Sequence, residues 1–362
     1  MTLHFARPRG LPRVVLALAF CAALAAQASP QNPDRPPWAQ KQKPGSTAPS
    51  PAKADAEQDR NAIKVKVDLV SVLVSVLDEH NRPAADLPAE AFQILDEDNP
   101  QTIAVFEKET QQPLDLALMV DASLSAQLGM PSEREAAAHF IQQVLRPKDR
   151  LAVYYFDENV TQLVAFTDNV GKLQDAVKRI PAGAGTSIYD AVYLGSRTLA
   201  GQDADRRKVI ILITDGGETT SRADFDTARR EAVRAGALLY TVIVRSVKNE
   251  NGRNTAGEHA LETITDTTGG AVFYPSSSAE LDRIFDLINR ELRTQYRLGY
   301  YPTPRGPADT YRRIEVTVKA PPAAPAAAGP NAASDVAASV PATAAQPEYS
   351  VRHRKSYYTG AQ

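Results

Sequence analysis

Between residues 114 and 292, short runs of apolar residues alternate with segments of helical period, and that alternation admits few folds. Residues 114–120, 209–213 and 237–244 are near-continuous apolar runs of the kind found in strands covered on both faces. The segments between them repeat apolar residues at helical spacing. Phe140, Ile141, Val144 and Leu145 share one face of a first helix, and Leu281, Ile284, Phe285, Ile288 and Leu292 share one face of a last helix. Ser132 with Glu135, and Ser277 with Glu280, have the spacing of helix-capping boxes. Residues 150–156 and 160–166 are joined only by Asp157-Glu158-Asn159, so they read as a hairpin with one strand at a sheet edge. The whole pattern predicts an α/β domain over residues 113–293: a doubly wound, mostly parallel sheet with helices on both faces.

The flanks have a different period. Val65, Val67 and Leu69, then Val70, Val72, Val74 and Val76, alternate with more polar residues, and residues 92–95 and 103–106 are short strands. Strand patterns return at 295–301, 311–318 and 349–358. Residues 63–108 and 294–359 are each too short for a stable β-sandwich, so the expectation is one small sandwich built from both, with the α/β domain inserted. Residues 320–347 are rich in Pro and Ala and are expected to be a disordered loop between two strands.

The first residues carry an export signal. Arg7, Arg9 and Arg13 precede an apolar stretch over 14–26 that is too short to span a bilayer well, and Ala26-Gln27-Ala28 supplies small residues for cleavage after 28. Residues 29–62 read as a Pro-rich disordered tether. The mature protein would be periplasmic or extracellular, without a stable membrane span. Cys21, the only cysteine, falls inside the signal, so no disulfide can form afterwards. Lys plus Arg number 41 against 43 Asp plus Glu, with no basic block, which argues against nucleic acid as partner.

The candidate site residues sit just past strand ends, where open α/β sheets bind ligands. Asp121, Ser123 and Ser125 follow the first apolar run at alternate positions. Thr186 closes the turn Gly183-Ala184-Gly185-Thr186, and Asp215 follows the run at 209–213. Oxygen ligands without nitrogen or sulfur suit a divalent cation, Mg2+ foremost, with Mn2+ or Ca2+ as alternatives, and fit zinc poorly. Three neutral hydroxyls and two carboxylates cannot fully saturate such an ion and leave it an open position, so an Asp or Glu from a protein partner is the natural last ligand. Asp115 reads as structural, and the cluster Asp96-Glu97-Asp98 as a solvated turn. The histidines left after signal removal read as surface or capping residues, and Tyr300-Tyr301 and Tyr357-Tyr358 as strand packing.

Asp121, Ser123, Ser125, Thr186 and Asp215 on this frame resemble the von Willebrand factor A domain, over about residues 114–292. The resemblance implies a metal-ion-dependent adhesion site, in which the two serines and the threonine contact the metal and the aspartates act partly through water. Leu124 stands where that family usually has Gly. A leucine cannot take a positive φ cheaply, so the loop must use an ordinary conformation there. Leu124, Gly185 and Gly216 are the candidates for ligand contact. Val67-Asp68-Leu69-Val70, Leu95-Asp96-Glu97-Asp98, Tyr296-Arg297-Leu298-Gly299-Tyr300-Tyr301-Pro302 and the ending at 351–358 resemble, more narrowly, the secreted family related to this domain that is common in Acidobacteria. The implied role is non-enzymatic protein binding. The alternatives are a scaffold whose metal only orders the loops, and a Mg2+-dependent phosphoryl-transfer enzyme. The second wants another acid at position 123, which is Ser, and there is no phosphate-binding glycine loop or G-x-S-x-G elbow.

Overall fold

The computed structural model describes residues 69–108, 111–123, 130–244, 255–319 and 349–360. The expected signal, tether and Pro/Ala-rich loop lie outside the described residues. The chain begins with β1 (Val70–Leu77), β2 (Phe92–Asp96), β3 (Asn99–Gln101) and β4 (Ile103–Glu107). It continues through β5 (Leu114–Asp121), α1 (Met130–Val144), β6 (Arg150–Phe156), β7 (Val160–Thr167), α2 (Val170–Lys178) and α3 (Ile188–Ala200). Then come β8 (Arg207–Thr214), α4 (Phe225–Ala235), β9 (Leu238–Ile243), α5 (Thr255–Thr268), β10 (Val272–Phe273) and α6 (Ser278–Thr294). It closes with β11 (Tyr296–Tyr300), β12 (Tyr311–Val318), β13 (Ser350–His353) and β14 (Ser356–Tyr358).

The middle of the chain forms a six-stranded sheet in the order β10-β9-β8-β5-β6-β7. Its strands pair in parallel except β6 with β7, the hairpin that ends the sheet on one side. Every residue of β5 and β9 is buried, which is why their sequences run apolar without alternation. Successive side chains of β5 feed opposite faces. Leu116, Leu118 and Val120 pack with α1, α2 and α6, whereas Ala117 and Met119 pack with α3, α4 and α5. Phe140 of α1 stacks on Phe285 of α6 at 4.8 Å between ring centroids, closing the first layer.

Local signals start and stop the helices. Asn169, Asp224 and Ser277 each accept a backbone N–H of the first turn of α2, α4 and α6. Gly236 ends α4 in the left-handed conformation. The two expected capping boxes differ in detail. Ser277 Oγ does accept from Glu280 N, but the Glu280 carboxylate reaches back to Ser276, one residue earlier than the motif requires. Helix α1 already begins at Met130, so position 132 lies within its first turn and not ahead of it.

The flanking strands form two antiparallel sheets, β13-β1-β11-β4 and β14-β12-β2-β3, around one apolar core. Each sheet takes strands from both ends of the chain: β1 pairs with β11 and β13, and β2 pairs with β12. Two residues here correct the sequence reading. Asp96 is no part of a solvated turn. It is fully buried, its Oδ1 accepts from Arg312 Nε at 2.8 Å, and its Oδ2 accepts from the Tyr300 and Tyr357 hydroxyls at 2.9 Å each. His353 is no surface residue either. It is 1% exposed, and its Nε2 accepts from Val316 N. Burial, with the Lys355 charge adding to it, pushes its imidazole down to about 4.

The β13–β14 corner lies against the α/β domain. Lys355 N donates to Thr267 O, Arg352 pairs with the buried Glu291, and Gln295 Nε2 donates to Ser75 Oγ. Gly269, at φ +87°, sits where a Cβ would fall 2.3 Å from the His353 carbonyl carbon, so only glycine allows this approach.

Candidate metal centre

The parallel strands β5 and β8 pair in register from Leu114 with Arg207 to Val120 with Ile213, so they end at the same edge. That edge carries the candidate residues. Asp121 is the last residue of β5 and is fully buried, and Ser123 follows it, 2% exposed. The Ser123 N–H donates to Asp121 Oδ1 at 2.9 Å, which turns the chain back on the carboxylate. From β8 the Thr214 hydroxyl donates to Asp121 Oδ2 at 2.6 Å and itself accepts from Gly216 N at 3.1 Å. Asp215, between those two, is half-buried and accepts from Gly217 N through its Oδ1.

The third loop is tied to both. Gly183 N donates to Ala122 O at 2.7 Å, linking the turn before Thr186 to the end of β5. Thr186 O accepts from Thr219 N and Thr220 N, and Thr186 N donates to Thr219 Oγ1 at 2.8 Å, linking it to the loop after β8. Thr186 is 3% exposed. Gly185 has φ +73°, and a Cβ there would fall 2.8 Å from Glu158 of the β6–β7 turn, so this turn needs glycine on two counts. Gly216 has φ +85° and is buried. Asp121, Ser123, Thr186 and Asp215 therefore come from three loops that backbone hydrogen bonds hold together. Ser125 and Leu124 lie outside the described residues.

Sequence reasoning missed three supporting residues. Thr214 positions Asp121, as above. Glu218 Oε2 accepts from Ile188 N and Tyr189 N at 2.8 and 3.2 Å, so it caps α3 directly behind Thr186. Thr219 ties Thr186 to the β8 loop. An acid or hydroxyl close in sequence to a strand-end aspartate was the available signal, and the sequence offers many of those.

The electrostatics of the two ends of β5 differ. At the amino end the buried Asp115 carboxylate meets both Arg150 and Arg206 at 2.7 Å. At the carboxyl end Asp121 has no Lys or Arg partner among the described residues. Burial pushes its carboxyl up to about 6, against the hydrogen bonds from Thr214 and Ser123, and the Asp215 charge adds to the rise. A buried carboxylate beside a second carboxylate, surrounded by hydroxyls and lacking a basic partner, is a site short of positive charge. A hard divalent ion would supply that charge, and these oxygen donors are of the type that suits one. Asp121, Ser123, Thr186 and Asp215 would hold such an ion, with Ser125 expected to join them.

Comparison with known proteins places this domain. Residues 115–287 match the sequence model of the von Willebrand factor type A domain. No curated protein matches the chain. Among solved structures, a von Willebrand factor type A protein from Catenulispora acidiphila is 14% identical with a TM-score of 0.46, covering 69% of this chain and 70% of that one. The pilus adhesin SpaC from Lactobacillus rhamnosus GG is 11% identical with a TM-score of 0.43, covering 68% and 47%. The vWF domain of the type V pili tip protein Mfa5 from Porphyromonas gingivalis is 14% identical with a TM-score of 0.40, covering 50% and 96%.

Proposed function

We propose that this protein, whose residues 115–287 are a von Willebrand factor type A domain, binds a protein partner through a divalent ion held by Asp121, Ser123, Ser125, Thr186 and Asp215. The observation that carries this reading is the state of Asp121. It is buried at the ligand-binding edge of the sheet, next to Asp215, and no cation among the described residues offsets it. An ion held largely by hydroxyls stays electrophilic, and it draws an Asp or Glu of the partner as its last ligand. Mg2+ suits this donor set best.

The scaffold reading is weaker. Hydrogen bonds from Gly183, Thr186, Thr214 and Thr219 already hold the three loops together, so an ion is not needed to order them. The enzymatic reading lacks a second acid on the β5 loop, where Ser123 stands. Export to the periplasm or the exterior belongs to the same proposal, resting on the N-terminal signal pattern. Among the described residues no helix is long and apolar enough to cross a membrane.

The test is a pull-down from envelope extract with Mg2+ or with EDTA, using wild type and Asp121→Ala, followed by affinity measurement for the captured partner. Metal and partner should raise each other's affinity by the same factor. A partner whose affinity is unchanged by chelation would place the interface elsewhere.

A further inference from the structure

The opposite, amino-terminal edge of the central sheet faces the β-sandwich across a cavity of about 340 Å³. Its walls include Arg206, Arg207, Lys208, Arg234, Arg297 and Arg354, and no carboxylate. In a chain with more acidic than basic residues, that is a local segregation of charge.

The acids that offset these cations stand behind the wall and are too few. Arg234 pairs with Asp309, and Arg297 with Glu107. Arg206 pairs with Asp115, but the same carboxylate also serves Arg150. Arg207 is committed to the carbonyls of Gln112 and Leu292 and has no ion pair among the described residues. The Lys208 ammonium, half-buried, makes neither a hydrogen bond nor an ion pair among the described residues. Burial pushes it down, and Asp115 opposes this from longer range. The carboxyl ends of α4 and α5 border the cavity, and Gly236 N and Ala237 N already occupy the Val233 and Ala232 carbonyls in the last turn of α4. A smaller cavity of about 160 Å³, which shares Arg207, adds Arg146, Lys148 and Arg293 against Asp149 alone. The positive field at this end therefore exceeds what its own acids cancel.

We propose that the cavity between the central sheet and the β-sandwich binds a phosphate-bearing small molecule, with Lys208 as its principal phosphate contact. Lys208 comes from β8, Arg234 from α4 and Arg297 from β11, so cations approach from three walls. A tetrahedral phosphate accepts from such divergent donors, whereas a planar carboxylate matches a single guanidinium fork. The volume exceeds that of a bare phosphate and lies at the lower end of small-molecule sites. Leu73, Ala235 and Leu238 give an organic body an apolar wall. A soluble monoester and a lipid headgroup present the same phosphate chemistry, and the experiment separates them. The inference is independent of Asp121 and of any metal.

The experiment uses the full chain, stripped of metal and dialysed free of chelator. It is titrated calorimetrically with pyrophosphate and with adenosine monophosphate, and sedimented with phosphatidylcholine vesicles with or without phosphatidate. Saturable binding to a soluble probe assigns a soluble ligand, and binding only to phosphatidate vesicles assigns a headgroup. In either case Lys208→Gln should weaken binding about tenfold or more, and Lys208→Arg should largely keep it. Arg234→Gln, on another wall, should weaken it too, and thermal melts of each variant check folding. No binding to any probe, or binding that Lys208→Gln and Arg234→Gln both leave unchanged, would overturn the proposal.

Discussion

The Thr214 hydroxyl donates to Asp121 Oδ2 at 2.6 Å and accepts from Gly216 N at 3.1 Å, so one side chain couples the ends of β5 and β8. Thr214 would not touch a metal held at this edge by the proposed ligands. It orients the carboxylate beside them, and such positioning residues typically control metal affinity by about 10- to 100-fold. Thr214→Val should therefore weaken Mn2+ binding by that factor in calorimetry, while Thr214→Ser should stay near wild type. Equal affinity in Thr214→Val and wild type would remove the positioning role.

Asp96 gives a second test, in the sandwich. Its carboxylate holds the buried Arg312 guanidinium and two tyrosine hydroxyls. Asp96→Ala leaves that guanidinium buried without its partner, and the expected cost is about 3–5 kcal/mol. Tyr300→Phe removes one neutral donor to a charged group and should cost about 1.5–3 kcal/mol. Urea denaturation of the two variants should rank them in that order. A loss under about 0.5 kcal/mol for Asp96→Ala would be that of an ordinary surface position.

What the sequence made legible follows from how local each signal is. The continuous apolar runs of β5, β8 and β9 are self-sufficient statements about burial on both faces, so the doubly wound sheet could be read from them. Asp121, Ser123, Thr186 and Asp215 were legible as candidates because each directly follows a strand end or a glycine turn. Thr214 was not, since its role depends on β5 and β8 being neighbours in space. Asp96 misled because Glu97 and Asp98 beside it are exposed, while its own partners lie more than 200 positions away. His353 sits between two arginines in sequence, yet its strand pairs with β1 and its ring is buried with Nε2 against Val316 N of β12. In both failures the deciding neighbour was distant in the chain.

His353 predicts a pH dependence. The unfolded ring titrates near 6.5 and the folded one at about 4, chiefly because of burial. Between those values the unfolded chain holds more protons than the folded one. This contribution to stability is therefore intact above pH 6.5 and is lost as pH falls towards 4. Its full size is on the order of 3 kcal/mol. Denaturation curves of wild type and His353→Gln across that range should show a steeper acid loss in wild type. Parallel curves would mean that the ring is not buried in its neutral form.

The charge deficit at Asp121 predicts that the stability order of two proteins reverses with metal. Asp121→Asn keeps the size of the side chain and its contact with Thr214, and it removes a buried charge from beside Asp215. Without divalent ions the variant should be at least as stable as wild type, because the unpaired carboxylate is a cost to the folded state. Ion binding stabilises only the state that binds, by about 2.7 kcal/mol at a hundredfold excess over Kd. Saturating Mg2+ should then raise the melting temperature of wild type and leave Asp121→Asn nearly unmoved, so that wild type becomes the more stable of the two. If Mg2+ shifts both melts equally, the ion binds elsewhere. If the variant is markedly less stable without metal, the carboxylate serves the fold and not an ion.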